Sequence, residues 1–231
     1  MKKILFFCTI LSLFLLELKA QDSINVKKGE TTMRDVEVIL FNDFETLDAF
    51  GPIEVLGRLV EHFNASCYSI DGGIITSSQK VRVDTRPLSE LHSESFILIV
   101  PGGIAVRNLI TDNIFLKKIT DLSQAAEYVL TICTGSILLS KTGLLDGKRA
   151  TSNKRAFSWT SKVSPSVQWV KKARWIHDGK FYTSSGVSAG IDMTLGFVSD
   201  LIGREIAKQQ SNEIEYEWKE NPERDPFSEL Y

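Results

Sequence analysis

Apolar positions along the chain fall into short continuous runs separated by stretches of helical spacing. Val36-Glu37-Val38-Ile39-Leu40-Phe41 is a compact run rich in β-branched residues and predicts a strand. Ile53, Leu56, Val60 and Phe63 then recur at helical spacing and predict a helix. A second strand is expected over residues 65–70 and a hairpin over 74–83. Phe96-Ile97-Leu98-Ile99-Val100 is apolar without a break, as in a strand covered on both faces. Phe115, Ile119 and Leu122 mark one face of a further helix. Tyr128-Val129-Leu130-Thr131-Ile132 reads as the next strand, followed by a helix ending near Gly143. Trp175-Ile176-His177 and Lys180-Phe181-Tyr182-Thr183 flank Asp178-Gly179, a hairpin signal. Residues 191–202 are almost wholly apolar and predict a buried helix; a polar helix over 205–218 and a tail with Pro222 and Pro226 close the chain. Strands alternating with helices predict an α/β fold with a mostly parallel sheet and helices on both faces.

Composition adds little to this picture and contradicts none of it. The 231 residues are 43% hydrophobic and 24% charged, enough for one substantial core and one domain. No internal repeat, low-complexity tract or flexible linker interrupts the pattern. A net charge of −2 offers no electrostatic case for nucleic acid or for an anionic membrane.

The N-terminus stands apart. Lys2 and Lys3 precede an apolar run over residues 4–16, followed by Glu17-Leu18-Lys19-Ala20-Gln21. This order predicts a signal peptide over 1–20, cleaved near Ala20, then a polar tether over 21–34 and a single domain over 35–231. The apolar run is too short to span a bilayer, and Cys8 inside it lacks a lipid-attachment context. The expectation is export, to the periplasm, with no stable membrane insertion after cleavage. A start at Met33 is the alternative and would give a cytoplasmic protein. Cys67 and Cys133 remain after cleavage, too few for a disulfide framework; Cys67 reads as strand packing.

The chemistry concentrates around Cys133. It follows a predicted strand and precedes Thr134-Gly135-Ser136 and the apolar Ile137-Leu138-Leu139, the order of a nucleophile elbow, with Thr131 where that elbow has its first glycine. A sulfur at a helix N-terminus meets unpaired N–H groups and the positive end of the dipole, which favour the nucleophilic thiolate. The competing reading is a small buried hydrophobe. Two further strand ends carry suggestive turns, Asn42-Asp43-Phe44-Glu45-Thr46-Leu47-Asp48 and Pro101-Gly102-Gly103. In parallel sheets ligands bind beyond the carboxyl ends of the strands, so the three turns are expected to converge. Free N–H groups of Gly103 and Thr134 are candidates to stabilise developing charge. Among Asp43, Glu45 and Asp48, the last is the candidate proton carrier, since it opens an apolar helix and burial would raise its pKa. A helix cap or first-turn acid is the competing role for Asp48.

Taken in order, Leu47-Asp48-Ala49-Phe50-Gly51-Pro52, residues 97–103, Ile132-Cys133-Thr134-Gly135, Gly143-Leu144-Leu145-Asp146-Gly147-Lys148-Arg149-Ala150-Thr151, Asp178-Gly179 and Ser185-Gly186-Val187-Ser188-Ala189-Gly190-Ile191-Asp192 resemble the DJ-1/PfpI superfamily, and within it the isonitrile hydratase branch. The resemblance covers residues 35–218. It implies a flavodoxin-like three-layer sandwich of the class I glutamine amidotransferase type, a homodimer and no cofactor. It also implies hydration of a small-molecule isonitrile to an N-substituted formamide. Carried over, Cys133 attacks the isonitrile carbon, Asp48 moves the protons through a thioimidate, and Thr134 orients substrate or water, with Gly102 and Gly103 bordering the substrate. The match departs at Thr151-Ser152-Asn153-Lys154, where members of the branch often have a histidine.

Only His62, His92 and His177 are present and none adjoins Cys133, which disfavours a Cys-His hydrolase. No His/Cys group has metal-ligand spacing, so no metal is expected. The tryptophans read as packing residues, with Trp159 a candidate pocket wall. The stretch 185–188 is expected to cap the buried helix and border the site, and Asp192 to complement its dipole. The alternatives are a glyoxalase-like enzyme acting on reactive carbonyls, a redox-sensing thiol, and the ligand-binding half of a regulator; the last needs a DNA-binding domain for which the chain leaves no room.

Overall fold

The computed structural model describes residues 33–91 and 96–231. The predicted signal peptide, all but the end of the tether and His92 lie outside the described residues.

Eight strands form one sheet in the order β3-β4-β2-β1-β5-β6-β10-β9. They are β1 (Arg34–Ile39), β2 (Phe63–Ser69), β3 (Asp71–Thr76), β4 (Arg82–Pro87), β5 (Phe96–Val100), β6 (Tyr128–Thr131), β9 (Trp175–Asp178) and β10 (Phe181–Ser184). The run from β4 to β10 is parallel, and the outer strands β3 and β9 pair antiparallel with their neighbours. A separate parallel pair joins β7 (Arg149–Ala150) to β8 (Gln168–Trp169). Helices α1 (Thr46–Gly57), α2 (Val106–Leu109), α3 (Asn113–Ala125), α4 (Gly135–Lys141), α5 (Phe157–Val163), α6 (Ala189–Ile202) and α7 (Arg204–Glu213) connect these elements. The arrangement is the expected flavodoxin-like α/β sandwich.

The core follows from the apolar runs. Every residue of β5 is buried, as its unbroken apolar sequence requires. Each such large side chain contributes about 1.5–3 kcal/mol by leaving water. Helix α6 is buried along most of its length, and Asp112 caps α3 by accepting from the N–H groups of Ile114 and Phe115.

Three boundaries differ from expectation. The first helix ends at Gly57, leaving Val60 66% exposed, and Phe63 instead opens β2 opposite Arg34. Helical spacing therefore ran on by accident into the next strand. Helix α7 ends at Glu213; Glu215 takes a left-handed φ of 51°, and Trp218 turns back to donate from Nε1 to Asp192 O at 3.1 Å. Pairing also begins one residue earlier than the domain boundary drawn at 35, at Arg34.

Strand β1 lies between β2, which follows it in sequence, and β5, which leaves in the opposite direction across the sheet. The β1–β5 boundary is thus a topological switch point, where the loops diverge and leave a crevice. The turns after β1, β5 and β6 all open there.

Candidate active site

The turn after β6 is a strained elbow. Cys133 has φ 57°, a left-handed conformation that non-glycine residues rarely adopt. Such a residue costs about 1–3 kcal/mol and persists only where its surroundings hold it. Here the Cys133 N–H donates to Ser185 O at 3.1 Å, and its carbonyl accepts from Ser136 Oγ and Ser152 Oγ, each at 3.0 Å. Gly135 completes the elbow, because a Cβ there would sit 2.9 Å from Pro101 O.

The turns after β1 and β5 are clamped together. Phe44, wholly buried, bridges Gly103, and the Glu45 N–H donates to Gly102 O at 2.9 Å. The clamp sets the start of α1, so that Asp48 in its first turn points inward. Glu45 occupies the cap position, so Asp48 is not the cap. Asp48 is 0% exposed; its Oδ2 accepts from the Gly102 N–H at 2.9 Å, and its Oδ1 has no conventional partner. Asp43 is exposed and Glu45 is bound by Gln79, which leaves Asp48 as the buried acid of the three.

Asp48 and Cys133 interact directly. Burial holds the Asp48 carboxyl well above the usual carboxylate range; the Gly102 N–H opposes this, Glu45 adds to it, and a weak hydrogen bond with Cys133 opposes it. Burial likewise pushes the Cys133 thiol up, and the Asp48 charge pushes it further. The N–H groups of Thr134 and Val187 and the Asn153 amide pull the other way. A thiol already ionised by a helix N-terminus is therefore not what these surroundings favour. Helix α4 is only 7 residues long, and burial outweighs its dipole. The two groups share a site in which both cannot be anionic, and they retain at least one proton between them.

The glycine turn differs from expectation in its donors. The Gly102 N–H is taken by Asp48 and the Gly103 N–H by Thr134 Oγ1 at 3.1 Å, so neither is free; the Thr134 N–H faces the Cys133 sulfur. Gly102 is required sterically, since a Cβ would meet Thr134 N and Oγ1, both at 2.6 Å.

Sequence reading missed Asn153. Its Nδ2 lies 3.2 Å from the Cys133 sulfur, on the segment after β7, and no periodicity betrays which way such a side chain points. Its only signal was its place in the stretch where the resemblance breaks. Val187, in the stretch expected to border the site, takes φ 39°, costly for a β-branched residue, and turns its N–H toward the sulfur. Asp192 is not a simple dipole partner. It is buried and accepts from Arg174 at 2.6 Å, Tyr216 Oη at 3.1 Å and the Lys219 N–H at 2.8 Å. Cys67 and Cys133 are both free thiols.

Cys133 retains 6% exposure, and it spends that on a cleft of about 520 Å³. Thr134, Asn153 and Val187 border the sulfur; Gly103, Arg107, Arg155 and Trp159 stand among the other lining residues. The arrangement is an α/β sandwich with a cysteine elbow facing a buried acid at the floor of an open cleft.

That arrangement has relatives. The chain belongs to the DJ-1/PfpI family, whose model matches residues 34–200. It is 32% identical over 180 residues to an isonitrile hydratase of Pseudomonas putida, covering 77% of this chain and 76% of that protein. It is 27% identical to the transcriptional regulator CdhR of Pseudomonas aeruginosa over 78% of this chain, but spans only 54% of that protein's length. Among solved structures, a ThiJ/PfpI family protein from Pseudomonas syringae superposes with a TM-score of 0.74 at 22% identity, covering 83% of this chain and 78% of the other.

Proposed function

We propose that the protein is a cysteine-dependent hydratase that adds water to an isonitrile and yields an N-substituted formamide. The observation that carries the proposal is the buried Asp48 carboxyl set against the Cys133 thiol at the floor of a cleft, one oxygen fixed by Gly102 and the other with no conventional partner. The similarity to an isonitrile hydratase supports the choice of substrate.

In the reactive form the sulfur carries the negative charge and Asp48 the proton. Sulfur bonds to the terminal isonitrile carbon and Asp48 delivers its proton to the same carbon, giving a thioimidate and a carboxylate. Asp48 then takes a proton from water as the water oxygen bonds to that carbon, and passes the proton to the nitrogen. The tetrahedral adduct expels the thiolate and gives its hydroxyl proton to Asp48, releasing the formamide and restoring the protonated acid. Asn153, Thr134 and Val187 aim donors at the sulfur and so stabilise it both before attack and on departure. The raised carboxyl suits an acid that must hold a proton near neutrality.

Incubation of the purified protein with a small isonitrile is expected to yield the formamide, and Cys133→Ala to abolish it. Formation of lactate from methylglyoxal without formamide would replace this reading with a glyoxalase-like one. Oxidation of Cys133 to a sulfenic or sulfinic acid without turnover of either substrate would replace it with a redox-sensing one. Export and homodimer formation complete the proposal; cell fractionation and light scattering test them.

A further inference from the structure

The cleft over Cys133 carries two arginines that stand outside any ion pair among the described residues. Arg107, on α2, and Arg155, two residues after Asn153, both line it. Among the described residues neither has a carboxylate within 4.0 Å, whereas most other arginines of the domain are ion-paired. Glu45, the acid that borders the cleft, is engaged by Gln79 Nε2 at 2.9 Å. The Arg107 guanidinium lies 4.6 Å from the centre of the Trp159 ring. Stacking of that kind fixes the plane of the guanidinium and leaves its edge donors open. A surface arginine is ordinarily solvated, but two of them line the same concave cleft as the Cys133 sulfur. Such a wall focuses positive potential on whatever enters.

We infer that the substrate carries a carboxylate, which Arg107 and Arg155 receive while its electrophilic carbon reaches Cys133. The inference rests on the hydratase reading for the identity of the electrophile, but the anion subsite stands on the arginines alone. A carboxylate matches the fork of a guanidinium, and a stacked fork loses little freedom on engaging it.

Two measurements separate the subsite from the chemistry. Isocyanoacetate and its methyl ester share one reacting carbon and differ in charge, so the ratio of their kcat/KM values isolates the carboxylate. The wild type is expected to prefer the acid by about tenfold or more, and Arg107→Gln combined with Arg155→Gln to reduce that ratio to near one. The second measurement needs no turnover: the rate of Cys133 alkylation by iodoacetate relative to iodoacetamide, each corrected for its rate with glutathione. That ratio is expected to fall by about tenfold in the double variant. A fall in the labelling ratio without hydration of either isonitrile would keep the carboxylate subsite and remove the hydratase reading. A labelling ratio unchanged by the double variant overturns the inference, as does failure of both reagents to reach Cys133, since the cleft then admits no small acid. An unchanged kcat/KM ratio in an active enzyme overturns it equally.

Discussion

The Asn153 side-chain amide points its nitrogen at the Cys133 sulfur across 3.2 Å, while its carbonyl oxygen accepts from the Ala156 N–H at 3.2 Å. The second bond ties the amide to the turn that leads into α5, so the donor is held toward sulfur rather than free to rotate away. A hydrogen bond to a charged acceptor contributes about 1.5–3 kcal/mol. Asn153→Ala should therefore slow alkylation of Cys133 at fixed pH by about tenfold or more, and Asn153→Asp should slow it further by placing a negative charge where a donor stood. Rates with iodoacetamide across pH check both, and equal rates in the wild type and Asn153→Ala would remove Asn153 from the site.

Asp48 invites a test that opposes stability to function. Its carboxyl is held above the usual range by burial, so the folded state keeps a proton that the unfolded state gives up. Stability from this group is complete below the unfolded carboxylate pKa of about 4 and is lost as pH rises through the folded value. Asp48→Asn, neutral at every pH, should be more stable than the wild type at neutral pH and show a flatter dependence on pH above about 4. Formamide production should fall to the level of Cys133→Ala, and alkylation of Cys133 should shift to lower pH because the neighbouring charge is gone. Urea titrations at several pH values provide the check; a variant less stable at neutral pH would contradict the burial argument.

Gly102 tests the clamp. Its N–H holds Asp48 Oδ2, and a methyl group there would lie 2.9 Å from that oxygen and 2.6 Å from Thr134 N. Gly102→Ala should cost about 1–3 kcal/mol or more, as overpacking of a tight site does. Because the displaced atoms are those of Asp48 and Thr134, the loss of activity should exceed the loss of stability. A melting curve beside a rate measurement separates the two.

Much of the site could be read from the chain because strands impose position. Cys133, Asp48 and Gly102 each follow a strand whose apolar run is unmistakable, and parallel topology brings the ends of β1, β5 and β6 to one edge. What could not be read depends on side-chain direction and on distance along the chain. Asn153 reaches Cys133 across 20 positions from an irregular segment. Likewise, the charge states of Cys133 and Asp48 follow from burial, which no local pattern reports. The helical period runs past the end of the first helix because Val60 and Phe63 fall on it while belonging to a turn and a strand.

The segment that carries Asn153 is itself anchored by the C-terminal tail. Lys154, 4% exposed, donates from Nζ to Thr151 Oγ1 at 2.8 Å and Ala173 O at 2.6 Å, and faces Asp225 Oδ2 at 3.6 Å. Asp225 also faces Arg174 Nη1 at 3.7 Å. Burial lowers the Lys154 pKa to about 8, against the pull of Asp225. Removing one partner of a buried ion pair typically costs about 3–5 kcal/mol, because the other charge is left without compensation. Asp225→Asn should therefore destabilise the domain by about that much at neutral pH. The sign of its pH dependence follows from Lys154. Below its pKa of about 8 the ammonium is charged and misses its partner; above it the amine is neutral and has less to lose. The stability gap between wild type and variant should narrow from neutral pH to about pH 10, leaving the share owed to Arg174. Since Lys154 adjoins Asn153, the same variant should also slow Cys133 alkylation, although Asp225 stands far along the chain from the sulfur. A gap that widens with pH, or alkylation unchanged in a measurably destabilised variant, would uncouple the tail from the site.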